Sequence, residues 1–243
     1  MRSSLPSQIP HFLRQIPLFS ALSQKDFATL LADFRLREYR PNEIIFHQSD
    51  NSDELYIVVQ GKIRVFRISP AGCETSIQIF STSDIVGEFA AIDNQPRSAT
   101  AKTIGYCQLL EMRGDKFMQY MRTMPDLAVE MTRLVISKVR WTATYAETIA
   151  QFNAAGRLLH ILLLYNEQFG QEIEPGKRYI IDLAMNQADL ASLIGARREW
   201  VNRLLQDWHK RGLVSFESGR ITILDLPRAV EERDSRIEAY HAR

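Results

Sequence analysis

The residues between Asp84 and Thr103, DIVGEFAAIDNQPRSATAKT, have types and spacing suited to holding an anion. The Arg97 guanidinium can grip phosphate oxygens through paired N–H donors. The Ser98 hydroxyl and the backbone N–H groups around Ala99 can add donors in a small concavity. Glu88 cannot face an anion. It suits a ligand hydroxyl as acceptor, and it can also orient Arg97. Gly87, just before it, lets the backbone approach closely, and Phe89 follows directly. The same residues also fit an exposed loop whose Glu and Arg form a surface pair of little energetic value.

A second group lies between Asp189 and Arg220. DLASLIG followed by ARREWVNRLLQDWHKRG reads as helix, turn, helix, with Gly195 at the turn. Leu190, Ile194, Val201, Leu204 and Leu205 can form a shared core. Arg198, Glu199 and Asn202 fall on the opposite face, and Arg203 extends it. Such a helix suits the major groove, where Arg donates to guanine and Glu accepts from cytosine. The stretch is locally basic within a chain of formal net charge +1, which suits phosphate contact. Its alternative is a solvated face laced with ion pairs. The hairpin pattern LVSFESGRITILD, with Gly219 at its turn, supplies a wing and favours DNA.

The positioning elements follow from periodicity. Residues 9–34 read as helical, with Phe27, Leu30, Leu31 and Phe34 on one face and Ser23 as N-cap, Asp26 three residues on. From Tyr39 to about Met112, the runs EIIFHQ, ELYIVVQ, KIRVFRI, SIQIF and YCQLLEM alternate with turn chemistry. Strands with no helix between them predict an antiparallel roll, barrel or sandwich. Helix returns after Arg113. From Asp126 to about Phe152 there is neither Gly nor Pro. Two apolar seams run along it. One holds Leu127, Met131, Leu134, Trp141, Tyr145 and Phe152; the other Val135, Val139, Thr142, Ala146 and Ile149. Two seams imply two contacts: the roll and a second copy of the chain, in either assignment, or a single helix packed within a monomer. AGRLLHILLLYNEQFG then reads as a helix ending at Gly170, and IEPGKRYIIDL as a turn and short strand.

Composition excludes several classes. The chain has 243 residues, 45% apolar and 24% charged, which fits globular domains and not a disordered chain. Cys73 and Cys107 sit in separate segments, so a reducing compartment is expected. The start MRSSLPSQIPHF lacks a signal-peptide core and no long apolar run occurs, so a cytoplasmic protein without membrane contact is expected. His11, His47, His160, His209 and His241 show no metal-ligand spacing. No metal, no cofactor and no catalytic constellation are expected, hence no enzyme.

The span GARREWVNRLLQDWHKRGLVSFESGRITI resembles the winged helix-turn-helix of the cyclic-AMP receptor/fumarate-nitrate regulator family of bacterial transcription factors. The family's groove-reading Arg-Glu and following Arg fall on Arg198, Glu199 and Arg203. Trp200 replaces a small hydroxyl residue, and Arg197 replaces a smaller residue and can add a phosphate contact. The resemblance covers nearly the whole chain and makes VGEFAAIDNQPRSA the phosphate cassette of a cyclic-nucleotide roll. It implies an α+β chain: an antiparallel β-roll over 1–125, a dimerisation helix over 126–152 and a winged helix-turn-helix over 153–243. It implies cyclic AMP, or a related nucleotide, as allosteric ligand of Gly87, Glu88, Phe89, Arg97, Ser98, Ala99 and Thr142. Ala143 stands where the cyclic-AMP-responsive members carry a second hydroxyl. It further implies a homodimer on near-palindromic double-stranded DNA through Arg197, Arg198, Glu199, Asn202 and Arg203. RNA polymerase is an implied partner, with 167–176 as the contact. A different effector or none, and a regulatory subunit that binds no DNA, remain the alternatives.

Overall fold

The computed structural model describes Pro6–Glu238; the first five residues and His241 lie outside the described residues. Two compact units result. One comprises the residues up to Cys73 and Ile77–Arg140, the other Glu74–Ser76 and the residues from Trp141 onward.

The first unit opens with three short helices, α1 (Gln8–Arg14), α2 (Pro17–Ser20) and α3 (Gln24–Leu31), where the periodicity had predicted one continuous element. The interruptions are local. Pro17 stands at the first position of α2, and the Ser23 side chain accepts from the Asp26 N–H at 3.1 Å, starting α3 afresh. Ser23 is therefore the N-cap the sequence predicts.

Six strands follow: β1 (Arg35–Tyr39), β2 (Ile44–Phe46), β3 (Leu55–Ile68), β4 (Glu74–Phe80), β5 (Ile85–Val86) and β6 (Thr100–Met112), in one antiparallel sheet. Its path is β1-β6-β3-β4, with β2 on β6 and β5 on β3. Two runs that read as separate strands, ELYIVVQ and KIRVFRI, are one strand. The Gln60-Gly61 step is absorbed as a register irregularity against β6, with Gly61 at φ +94°. β1 has no apolar signature because most of its side chains are exposed. One core cluster gathers Phe19, Phe34, Leu55, Ile57, Leu110, Phe117 and Leu127; another gathers Phe46, Tyr56, Val58, Ile63, Phe80 and Leu109. Between β5 and β6 lies the short helix α4 (Glu88–Asp93), and α5 (Gly114–Thr123) follows β6.

The long helix α6 (Pro125–Gln151) continues without a break. After it the second unit contains α7 (Ala154–Phe169), the strands β7 (Gln171–Glu174) and β8 (Arg178–Asp182), then α8 (Gln187–Ile194) and α9 (Arg198–Lys210). The strands β9 (Val214–Glu217) and β10 (Arg220–Ile223) complete a four-stranded sheet of order β7-β8-β10-β9, before a final helix α10 (Leu226–Asp234). Asn186 and Asp189 form a reciprocal capping box at the start of α8. Gly195 ends it in the left-handed region, φ +65°, as the sharp turn requires.

Candidate ligand pocket and nucleic-acid interface

Arg97 and Glu88 are both buried, at 3% and 2% exposure. Neither charge is left uncompensated, and they do not compensate each other. Arg97 donates from Nε to the Ser52 hydroxyl (2.9 Å), from Nη1 to the Gly87 carbonyl (2.8 Å) and from Nη2 to the Glu54 carbonyl (2.6 Å). The Glu54 carboxylate stands 3.6 Å away, and the Phe46 ring lies beneath the guanidinium at 4.1 Å. Burial pulls the Arg97 pKa below its ordinary value, opposed by Tyr56 and nearby carboxylates. Glu88 accepts from Lys138 of α6 at 2.7 Å, and the same ammonium donates to the Ile85 carbonyl at 2.7 Å. Glu88 thus does not orient Arg97, contrary to the sequence expectation. Lys138, Ser52, Glu54 and Phe46 are the neighbours that sequence reasoning missed. Ser52 and Glu54 lie in a polar turn, and Lys138 sits between apolar stripes, so none carries a local signal.

Gly87 lies at a close backbone approach. It adopts φ +89°, and a Cβ there would sit 2.7 Å from Arg97 Nη1 and 2.9 Å from the Glu54 carbonyl oxygen. It caps α4, whose first residue is Glu88. Phe89 is 42% exposed, Ser98 is exposed and Ala99 is buried. The structure therefore brings Gly87, Glu88 and Arg97 to one place, with Phe89 and Ser98 at its surface. Thr142 is exposed and belongs to the other unit.

A cleft of about 290 Å³ lies in the same unit. Phe80, Asp84, Ile85, Leu134, Ser137 and Lys138 are among its walls, and Arg97 is not. Burial raises the Asp84 pKa above the usual carboxylate range.

The two seams of α6 separate in the structure. Leu127 and Met131 are buried in the first unit's core, with Leu134 and Val135 packed against it. Farther along, Trp141 stacks on Tyr165 at 6.2 Å and the Tyr145 hydroxyl donates to the Leu193 carbonyl at 2.6 Å. That seam is used within the chain. Of the other predicted seam, Val139, Thr142, Ala146 and Ile149 are exposed but Val135 is half-buried against the core; the row that stays exposed along the helix is instead Val129, Thr132, Ile136, Val139, Ala143, Ala146 and Ala150, in alternating steps of three and four.

In the second unit, Leu190, Ile194, Val201 and Leu205 are buried as predicted, whereas Leu204 is only half-buried. The larger contribution comes from Trp208, which is fully buried. Arg197, Arg198, Glu199 and Arg203 are exposed. None makes an ion pair or side-chain hydrogen bond with another described residue. The ion pairs of α9 sit at its other end, where Arg211 holds Asp207 and Glu232. The alternative of a face laced with ion pairs is therefore not what α9 presents. Asn202 is half-buried, its side-chain Oδ1 accepting from Gln187 Nε2 at 3.0 Å. Trp200 is half-buried. Ser218 and Gly219, both at positive φ, turn the wing.

An antiparallel roll with a buried guanidinium, joined in sequence to a winged helix-turn-helix with a basic exposed face, defines a two-part transcription regulator. Residues 36–124 match the cyclic nucleotide-binding domain family, and residues 156–228 match the Crp-like helix-turn-helix domain. The chain belongs to the CRP/FNR family of transcription regulators, which are not enzymes. It is 27% identical over 216 residues to the CRP-like cAMP-activated global transcriptional regulator of Mycobacterium tuberculosis, covering 89% of this chain and 96% of that one. Among solved structures, CooA of Carboxydothermus hydrogenoformans shares the fold with a TM-score of 0.72 at 19% identity, over 89% and 95% of the two chains. The c-di-GMP responsive regulator CLP of Xanthomonas campestris does so with a TM-score of 0.69 at 20% identity, over 83% and 99%. No helix among the described residues is long and apolar enough to cross a membrane.

Proposed function

We propose that the protein is a cytoplasmic, homodimeric regulator that binds cyclic AMP or a related nucleotide in the roll and near-palindromic DNA through α9. The observation that supports the DNA reading best is the exposed trio Arg198, Glu199 and Arg203, without ion pairs among the described residues, on a helix held from behind by Trp208 and Val201. Guanidinium groups that the protein leaves uncompensated remain available to guanine edges and phosphates. The open seam from Val129 to Ala150 supports the dimer, since its repeat is that of paired helices. To enter successive major grooves, α9 and its partner copy must sit one groove turn apart, about 34 Å.

For the ligand, Gly87, Glu88, Phe89, Arg97, Ser98 and Ala99 form the cradle in this reading; Thr142 is assigned to the ligand by the resemblance alone. A cyclic phosphate reaching Arg97 exchanges protein acceptors for its own oxygens, so binding and rearrangement of the Ser52–Glu54 turn are coupled. A second reading has a different effector, or none. It is favoured by one observation: Glu88 and Arg97 already have partners, while the cleft beside Lys138 is open.

Calorimetric titration with cyclic AMP and cyclic GMP, then operator binding with and without ligand, separates the two. Heat from either nucleotide together with tighter operator binding supports the first. Silence from both with operator binding intact rejects the nucleotide and leaves the second.

A further inference from the structure

The helix-turn-helix match ends at residue 228, yet the described chain continues to Glu238 and returns to the junction of α6 and α7. Two backbone hydrogen bonds make the return. Asn153 donates its N–H to the Arg236 carbonyl at 3.2 Å, and Glu238 donates to the Gln151 carbonyl at 2.8 Å. Phe152 and Ile237 form an antiparallel β-bridge between them. Gly156 leaves room for this path, since a Cβ there would stand 2.7 Å from Arg236 Cβ. Phe152 is in turn buried and stacked on His160 at 5.2 Å.

The same tail is tied to the far end of the recognition helix. Glu232, with a side chain only 10% exposed, receives Arg236 Nη2 at 2.6 Å and Arg211 Nη1 at 3.1 Å, and it also pairs with Arg211 Nη2. Arg211 is the C-cap of α9. Its carbonyl accepts from Arg228 Nη2 at 3.1 Å. One carboxylate therefore joins the end of α9 to the residue whose carbonyl holds Asn153.

We propose that Arg236–Glu238 is a strap across the α6–α7 junction, and that Glu232 is the positioning residue connecting it to the recognition helix. This rests on the reading of α9 as the DNA-contacting element. The strap ties the direction in which the chain leaves α6 to the orientation of α9. A bridge of this length has few bonds, and a shared carboxylate makes the two ends open together.

The test perturbs each end of the full chain and reads the other by amide hydrogen exchange. Glu232→Gln removes the charge shared by the two arginines and should speed exchange of the Asn153 and Glu238 amides about tenfold. Truncation before Arg236 removes the strap and should speed exchange at Arg211 and Leu213, at the end of α9, by a similar factor. Effects confined to the perturbed end overturn the proposal, as does unchanged exchange at both. Should the truncated chain fail to fold, Gly156→Ala, which pushes on Arg236 from the α7 side, is read at the same α9 amides with the same two outcomes. None of these rates requires DNA, so failure of wild-type operator binding would strike the DNA reading and not the strap.

Discussion

Lys138 Nζ stands 2.7 Å from Glu88 Oε1, tying the long helix to the first residue of α4. The carboxylate is almost wholly enclosed and the ammonium largely so, at 2% and 16% side-chain exposure. Phe80 lies within 4.6 Å of the ammonium. An enclosed ion pair adds little over an apolar pair of the same shape, but removing one partner leaves a charge with no solvent.

It follows that Lys138→Met destabilises the roll by roughly 3 kcal/mol in urea unfolding. The double substitution with Glu88→Gln should recover at least half of that loss. Additive losses would show that the two side chains are not coupled.

The open seam makes its own prediction. Val139 is 61% exposed and sits in mid-seam. Val139→Glu should raise the dimer dissociation constant roughly a hundredfold, about 2.7 kcal/mol, in sedimentation equilibrium. Circular dichroism should stay unchanged because the side chain is largely exposed within its own chain. A dimer as tight as the wild type would place the interface elsewhere.

On DNA, Arg198→Ala should cost about 1–3 kcal/mol and relax preference at one base pair. Arg197→Ala should instead weaken all sites alike and reduce the salt slope by about one counterion. Competition binding on base-substituted operators reads both. An unchanged site preference for the Arg198 variant would remove it from the base-reading set.

His160 gives a pH dependence. Its ring stacks on Phe152, its Nδ1 is buried without a hydrogen-bond partner among the described residues, and burial lowers its pKa, with Arg233 adding to the effect. A base whose folded pKa lies below its unfolded one takes up its proton more readily when unfolded. Its stabilising contribution is complete above the ordinary pKa of about 6.5 and is lost as pH falls below it. The melting temperature should therefore drop between pH 7.5 and 5.5, and His160→Phe should flatten that drop. An equal slope in both proteins would assign the effect to other groups.

Local pattern made much of this molecule legible. The strand runs, the Ser23 cap, the Gly195 turn and the Ser218–Gly219 wing all rest on propensity or backbone conformation within a few residues. Gly87 was readable for the same reason, because only glycine tolerates both its φ and its distance to Arg97. Strand β1 escaped notice because an exposed strand carries no apolar alternation, and α10 because only Ala229 among its side chains is fully buried.

The sequence by itself determined which residue types stand between Gly87 and Ala99 and along α9, and that α6 carries two apolar stripes. Only the tertiary structure decided the partners: Glu88 with Lys138, Arg97 with Ser52 and Glu54, Arg211 with Arg236 through Glu232. It also decided that Leu127, Trp141 and Tyr145 pack within the chain, and that of the second stripe Val135 does so too while Val139 stays exposed. Helical and strand periods are properties of neighbouring residues, whereas the pairing of a buried charge depends on which distant segment the fold brings within about 3 Å of it.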